Sequence, residues 1–225
     1  MKKIISYSVY GDKPMYVEGV FKNIELALEI YPDWISRFYL MDDCHHLQDK
    51  ILSYPSTEVV LVKGESNNYA TMYRFLPMGD KDVERFISRD TDSRLCLREK
   101  VAVDEWVESG KKFHVMHDHP YHYSDHYPVL AGMWGSICGI FPKIDLMIKE
   151  WIQNSNDFKG VDQVFLANLY KYFMVYDVRT HNMPDFILER NLERDKIYYI
   201  GQPVDENDNF CGNWENDLKL LGILL

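Results

Sequence analysis

Apolar and polar positions alternate over residues 3–9, the period-2 pattern of a strand, and Gly11-Asp12-Lys13-Pro14 breaks it. The period then changes. Ile24, Ala27, Leu28 and Tyr31 share one face of a helix from Asn23 to Tyr31, which Pro32 ends. A second strand is predicted around Arg37-Phe38-Tyr39-Leu40, and a short helix from His45 to Leu52. Val59-Val60-Leu61-Val62 is unbroken apolar sequence, which predicts a third strand at the centre of a sheet. Met72 to Leu76 is helical or turn-like and carries Arg74; Val83, Phe86 and Ile87 then mark a buried strand. Further on come a helix from Arg98 that Ser109-Gly110 stops, a strand at Phe113-His114-Val115-Met116, and an amphipathic helix over residues 144–153. Asp162-Gln163 opens another helix, with Phe165, Leu166 and Leu169 inward. Short strands are predicted at Phe173-Met174-Val175 and Tyr198-Tyr199-Ile200-Gly201, and the apolar ending over residues 220–225 is expected to pack.

Alternation of strand and helix predicts an α/β fold, a Rossmann-like and mostly parallel sheet flanked by helices. No internal repeat, low-complexity tract or linker interrupts the pattern, so one domain over 1–225 is expected. At 46% hydrophobic and 27% charged, the 225 residues can bury a proper core. The net charge of −10, without Lys or Arg clusters, argues against a nucleic-acid partner. No apolar run approaches the length of a membrane span. Cys44, Cys96, Cys138 and Cys211 are far apart and read as free thiols in a reducing, cytoplasmic compartment. Neither G-x-G-x-x-G nor G-x-x-x-x-G-K-[ST] is present, which lowers dehydrogenases and P-loop enzymes.

The chemistry concentrates after the Val83 strand, where Asp90 and Asp92 stand one residue apart. In extended chain, positions i and i+2 point the same way. Both carboxylates can then face one spot at the carboxyl end of a strand, where open α/β sheets bind ligands. Two hard oxygens suit Mg2+ or Mn2+, whose remaining positions go to water and substrate phosphates. The plainer alternative is a polar exit from the strand. Five of the eight histidines lie between 114 and 126, which leaves a zinc-dependent hydrolase using His114, His117, His119 and His122 as an alternative to a polar loop. Arg74 is either a stacked surface residue or a fork for phosphate and sugar oxygens. Gly132-Met133-Trp134-Gly135 fits a tight turn or close approach of backbone to a ligand.

Together these stretches resemble glycosyltransferases of the GT-A fold. The run Phe86-Ile87-Ser88-Arg89-Asp90-Thr91-Asp92-Ser93-Arg94-Leu95, with Arg98-Glu99, Val103, Glu105-Trp106 and His114-Val115-Met116-His117-Asp118-His119-Pro120, is similar to small single-domain GT-A proteins of bacteria and of large DNA viruses such as the chloroviruses. The resemblance spans about residues 3–185 and is most specific over 72–135. It implies a nucleotide-binding half up to about residue 95 and an acceptor and sugar half beyond it. The order of polar residues is similar to that of retaining galactosyl- and glucosyltransferases. On that resemblance Asp90, Asp92 and His181 hold Mn2+ or Mg2+, with Asp92 the more direct contact. Asp162, Gln163 and Asp118 are the catalytic candidates. Ser6, Tyr7, Tyr10, Arg74, Ser88 and Thr91 bind the nucleotide, and Arg74, Asp118, His119, Gly132 and Trp134 the sugar. The implied reaction moves a sugar from a nucleotide-sugar, a UDP-sugar such as UDP-glucose foremost, to a hydroxyl of a glycan or other acceptor, with retention. A nucleotidyltransferase on the same fold stands as the alternative; its Gly-rich, basic loop after the first strand is missing from Gly11-Asp12-Lys13-Pro14.

Overall fold

The structure is a computed structural model and describes residues 1–124, 126–185 and 197–222. The strands are β1 (Lys2–Val9), β2 (Ile35–Leu40), β3 (Thr57–Leu61), β4 (Val83–Ser88), β5 (Phe113–His117), β6 (Trp134–Ile137) and β7 (Val178–Asn182). They form one seven-stranded sheet in the order β3-β2-β1-β4-β6-β5-β7. All neighbours run parallel except β6, which is antiparallel to both β4 and β5. The helices are α1 (Pro14–Ile30), α2 (Gln48–Leu52), α3 (Leu97–Ser109), α4 (Ile144–Asn154), α5 (Val161–Tyr172) and α6 (Trp214–Leu220). The α/β, mostly parallel architecture expected from the periodicity is the one observed.

Alternation along the strands divides the core in two. Ile5, Tyr7, Val9 and Ile87 face α1 and α3, packing on Val20, Ile24, Tyr31, Val103 and Trp106. Ile4 and Phe86 face the other way, onto the 3₁₀ stretch Asn68–Gly79, α4 and α5, through Phe75, Ile144, Phe165 and Leu166. The functional residues therefore sort by face. Beyond β4 the chain turns, and Asp90 is tied to the α5 side through Arg74.

Several elements differ from expectation for identifiable reasons. Pro14 opens α1 instead of only breaking the chain; its missing N–H is one that a helix start leaves unbonded anyway. The Val59 strand lies at the sheet edge, not its centre, with Val60 and Leu61 37% and 46% exposed. Phe173-Met174-Val175 is no strand: Phe173 N–H still bonds Leu169 O at the end of α5, a 3₁₀ turn follows, and β7 starts at Val178. Residues 198–201 form a turn, not a strand. Strand β6, which begins within the Gly132–Gly135 stretch expected to be a tight turn or a backbone approach to a ligand, is an addition. Gly135 is required there, because a Cβ would stand 2.8 Å from Phe86 O. Residues 223–225 of the apolar ending lie outside the described residues.

Candidate active site

The ladder between β1 and β4 ends where Arg89 N–H donates to Ser6 O at 3.1 Å, and the chain then turns through Asp90-Thr91-Asp92. Ser93 Oγ closes this turn on Asp90 O at 3.1 Å. Helix α1 holds it from one side. At Gly19 a Cβ would stand 2.0 Å from Thr91 O, so only glycine lets the helix come this close. One turn on, buried Asn23 donates from Nδ2 to Thr91 O and Ser93 O at 3.3 and 2.8 Å, and its Oδ1 accepts from Leu95 N–H at 3.1 Å. Arg94 donates to Thr91 O at 2.8 Å and is itself fixed by Asp208 at 2.8 Å. The carbonyls of this turn are thus occupied from behind, leaving its carboxylates to face outward.

Buried Arg74 links the turn to α5. It donates to Asp90 Oδ1 and, at 2.8 Å, to Asp162 Oδ2. Asp162 Oδ1 accepts from Gln163 N–H at 2.9 Å, the bond of a helix first turn. Gln163 reaches instead to the loop before β6: its Oε1 accepts from Ala131 N–H and its Nε2 donates to Val129 O at 3.4 Å. That loop brings Gly132 against Asp90, where a Cβ would sit 1.9 Å from Oδ2. Arg74, Asp90, Asp92, Asp162, Gln163 and Gly132, far apart in sequence, therefore share one region.

Electrostatics single out Asp92. Burial, then the charge of Asp90, pushes its carboxyl up to about 6. Arg74 stays firmly protonated; burial opposes this, but Asp90 and Asp162 outweigh it. Tyr10 lies within the same field, its phenol raised to about 12 by burial, with Arg74 opposing and Asp162 and Asp90 adding. Burial and then Asp92 and Asp90 raise Tyr16 as well. Two carboxylates on one turn, one of them short of counter-charge, fit a hard divalent cation. Among the described residues, no third His, Cys, Asp or Glu joins them in a metal-ligand group.

Other expected site residues lie elsewhere. His181 is on the opposite face of the sheet. Its Nε2 meets Glu105 Oε2 and its Nδ1 meets His114 Nε2, each at 2.9 Å, so neither nitrogen points to Asp90. The His181 bond is the main cause that holds Glu105 below its usual range, so Glu105 accepts, His181 donates from Nε2, and His114 donates to His181. Burial keeps His114 neutral. Asp118 is wholly buried in a bidentate pair with Arg98 at 2.9 and 2.8 Å and accepts from Ile200 N–H at 3.0 Å. His119 is buried and caps a 3₁₀ turn. The histidines expected as a zinc site diverge: His114 binds His181, His117 binds Asn182, and His122 accepts from Asp118 N–H. Tyr7 stacks on Phe38 in one core and Trp134 packs on Phe75 and Phe86 in the other, both fully buried. Ser6 is buried, and Ser88 Oγ donates to Ala131 O at 2.7 Å, bracing the Gly132 loop.

No family model matches the chain, and no curated protein matches it in sequence. Among solved structures it is similar to the inositol-1-phosphate CTP transferase of T. maritima, with TM-score 0.52 and 15% identity, covering 81% of this chain and 86% of that one. It is also similar to the 4-diphosphocytidyl-2C-methyl-D-erythritol synthase of Anaerococcus prevotii, with TM-score 0.51 and 10% identity over 81% and 86%. A glycosyltransferase involved in glycosylation of the major capsid of PBCV-1 aligns at TM-score 0.48 and 12% identity over 81% and 82%. At such identities the likeness is one of fold. The fold is Rossmann-like α/β, a mostly parallel sheet flanked by helices. Helix α1 meets the Asp90 turn in this framework through residues without a local sequence signature of function. Gly19 and Asn23 stand four apart on the otherwise apolar inner face of α1, with Val20, Ile24 and Ala27. A glycine and an amide on a buried helix face were the available signal. Arg94, Arg98 and Glu105 gave no comparable signal, because their partners Asp208, Asp118 and His181 are distant in sequence.

Proposed function

We propose that this chain is a divalent-metal-dependent glycosyltransferase, moving a sugar from a UDP-sugar to a hydroxyl of a glycan acceptor with retention. The supporting observation is the Asp90-Thr91-Asp92 turn at the carboxyl end of β4, where Asp92 is pushed up to about 6 and Arg74 ties Asp90 to Asp162. A nucleoside diphosphate leaves poorly unless its charge is neutralised. Asp90 and Asp92 would hold the cation, which when bound offsets the diphosphate charge and acts as a Lewis acid. The C1–O bond to the diphosphate breaks, a C1–O bond to the acceptor oxygen forms, and the acceptor proton passes to the departing phosphate oxygen. Positive charge grows at C1, as in glycoside hydrolysis, and Asp162 would supply the carboxylate that stabilises it. Arg74 binds donor oxygens as a fork, Tyr10 and Thr91 flank the nucleotide, and Gln163 holds the loop that presents Gly132.

Thermal unfolding tests this. UDP-glucose with Mn2+ at a hundredfold excess over Kd is expected to add about 2.7 kcal/mol of stability. Asp92→Ala is expected to abolish the Mn2+-dependent part. No shift with any nucleotide-sugar sinks the assignment, and pyrophosphate released from CTP and a sugar 1-phosphate reassigns the site to nucleotidyl transfer.

A further inference from the structure

The segment 203–211, far along the chain, returns to the carboxylate turn as a tight hairpin. Val204 and Phe210 pair across an antiparallel bridge, Asp205 N–H donates to Asn209 O at 2.9 Å, and Cys211 N–H donates to Pro203 O at 3.0 Å. Asp205 Oδ1 accepts from Asn207 N–H and Asn209 N–H, each at 2.8 Å, which closes the bend. Asp208 in that bend is left-handed, with φ 64°, a conformation that Gly, Asn and Asp adopt most readily.

The hairpin and helix α1 grip the turn in different places. Asn23 of α1 donates to Thr91 O and Ser93 O, and Arg94 donates to the same two carbonyls at 2.8 and 3.2 Å. The carbonyl between them, Asp92 O, accepts from Val204 N–H at 2.7 Å, a bond that the hairpin supplies and α1 does not. Asp208 pins the hairpin there. Its Oδ1 accepts from Arg94 Nε at 2.8 Å and its Oδ2 from Lys22 Nζ at 2.5 Å, while Arg94 Nη2 donates to Asp205 O at 3.1 Å. Three parts of the chain, α1, the turn and the hairpin, therefore meet on one carboxylate. The Asp208 side chain is 42% exposed, so its removal leaves both cores intact.

We infer that Asp208 is a positioning residue for the divalent cation. Through Arg94 and Lys22 it seats the hairpin, and the seated hairpin fixes the backbone of Asp92 and with it the direction of the Asp92 carboxylate. This role rests on the reading of Asp90 and Asp92 as cation ligands. Coupling of two binding events is reciprocal, so the cation also tightens the hairpin, and the Val204 amide reports it.

Mn2+ is titrated calorimetrically into the full chain, and exchange of the Val204 amide hydrogen is followed by NMR with and without diamagnetic Mg2+. Asp208→Gly removes the carboxylate and accepts the left-handed φ; Asp208→Asn accepts the φ and keeps an oxygen for Arg94. Asp208→Gly is expected to raise the Mn2+ Kd about tenfold and Asp208→Asn about threefold or less. Mg2+ should slow Val204 exchange about tenfold in the wild type and leave it unchanged in Asp208→Gly. Exchange within the β1–β4 ladder and thermal unfolding should stay as in the wild type. Equal Mn2+ affinity in the wild type and Asp208→Gly overturns this role and leaves the cation site standing. So does a loss of affinity that comes with faster exchange across the β1–β4 ladder, which marks a fold defect. A wild type that binds no Mn2+, alone or with UDP-glucose, overturns the cation reading and the role of Asp208 together.

Discussion

Two arginines meet carboxylates near the carboxyl edge of one sheet, and they do opposite things. Arg98 grips Asp118 with two parallel bonds, Ile200 N–H adds another, and Asp118 is wholly buried. Arg74 divides its guanidinium between Asp162 and Asp90, and the Asp90 side chain remains 47% exposed. Beside it, Asp92 has its carboxyl pushed up by burial and by its neighbour. The same chemical pair is a structural pin where both partners are enclosed, and a candidate site where one carboxylate is split off and left facing out. The environment separates Asp90 from Asp118; Asp162, enclosed with Arg74, resembles Asp118 in its burial.

The largest effect expected on this contrast comes from Asp118→Ala. It leaves Arg98 without its bidentate partner, and breaking a buried pair costs about 3–5 kcal/mol. Urea unfolding measures this, and a loss under about 1 kcal/mol would erase the distinction between the two clusters. Asp92→Asn tests the other cluster with the opposite sign. Its folded value of about 6 lies above the ordinary 3.8, so the folded state holds an extra proton between those values. Stability therefore falls as pH rises through that window, and the penalty is complete at neutral pH. Removing the charge should stabilise the metal-free protein by about 1–3 kcal/mol at neutral pH and by nothing at strongly acid pH. The same variant should lose the Mn2+ response. Asp90→Ala follows: it should cost about 1 kcal/mol or less, since the carboxylate is half exposed, yet remove the Mn2+-dependent UDP shift. Gly132→Ala is the finest probe. A Cβ 1.9 Å from Asp90 Oδ2 forces that carboxylate to move. UDP affinity with Mn2+ is expected to drop about tenfold, roughly 1.4 kcal/mol, with unfolding little changed.

The legible parts of the sequence were those with a local cause. Helix α3 stops where Gly110 adopts a positive φ of 68°, and Asp90 and Asp92 stand out because they follow a short buried strand. The α/β class followed from alternating periods of two and 3.6. Pairing partners were not legible. An apolar run such as Val59–Val62 reads the same at the edge or the centre, since position in a sheet depends on distant strands. Strand β6 is four residues long and contains Gly135, so it lacks a strand period. His181 was misplaced because its neighbours, Glu105 and His114, come from α3 and β5, and only the register of β7 on β5 sets the face it occupies.

The position of β3 also governs how copies of the chain behave toward one another. Among the described residues no strand pairs with its outer side, and Val60 and Leu61 are exposed there. An edge of this kind offers a row of unsatisfied backbone groups to any passing strand. Charge flanks it: Glu58 sits in the strand, paired with Lys2 on β1 and Arg37 on β2, and Lys63 lies two residues past its end. Charged side chains beside an open edge disfavour strand-to-strand pairing between copies of the chain.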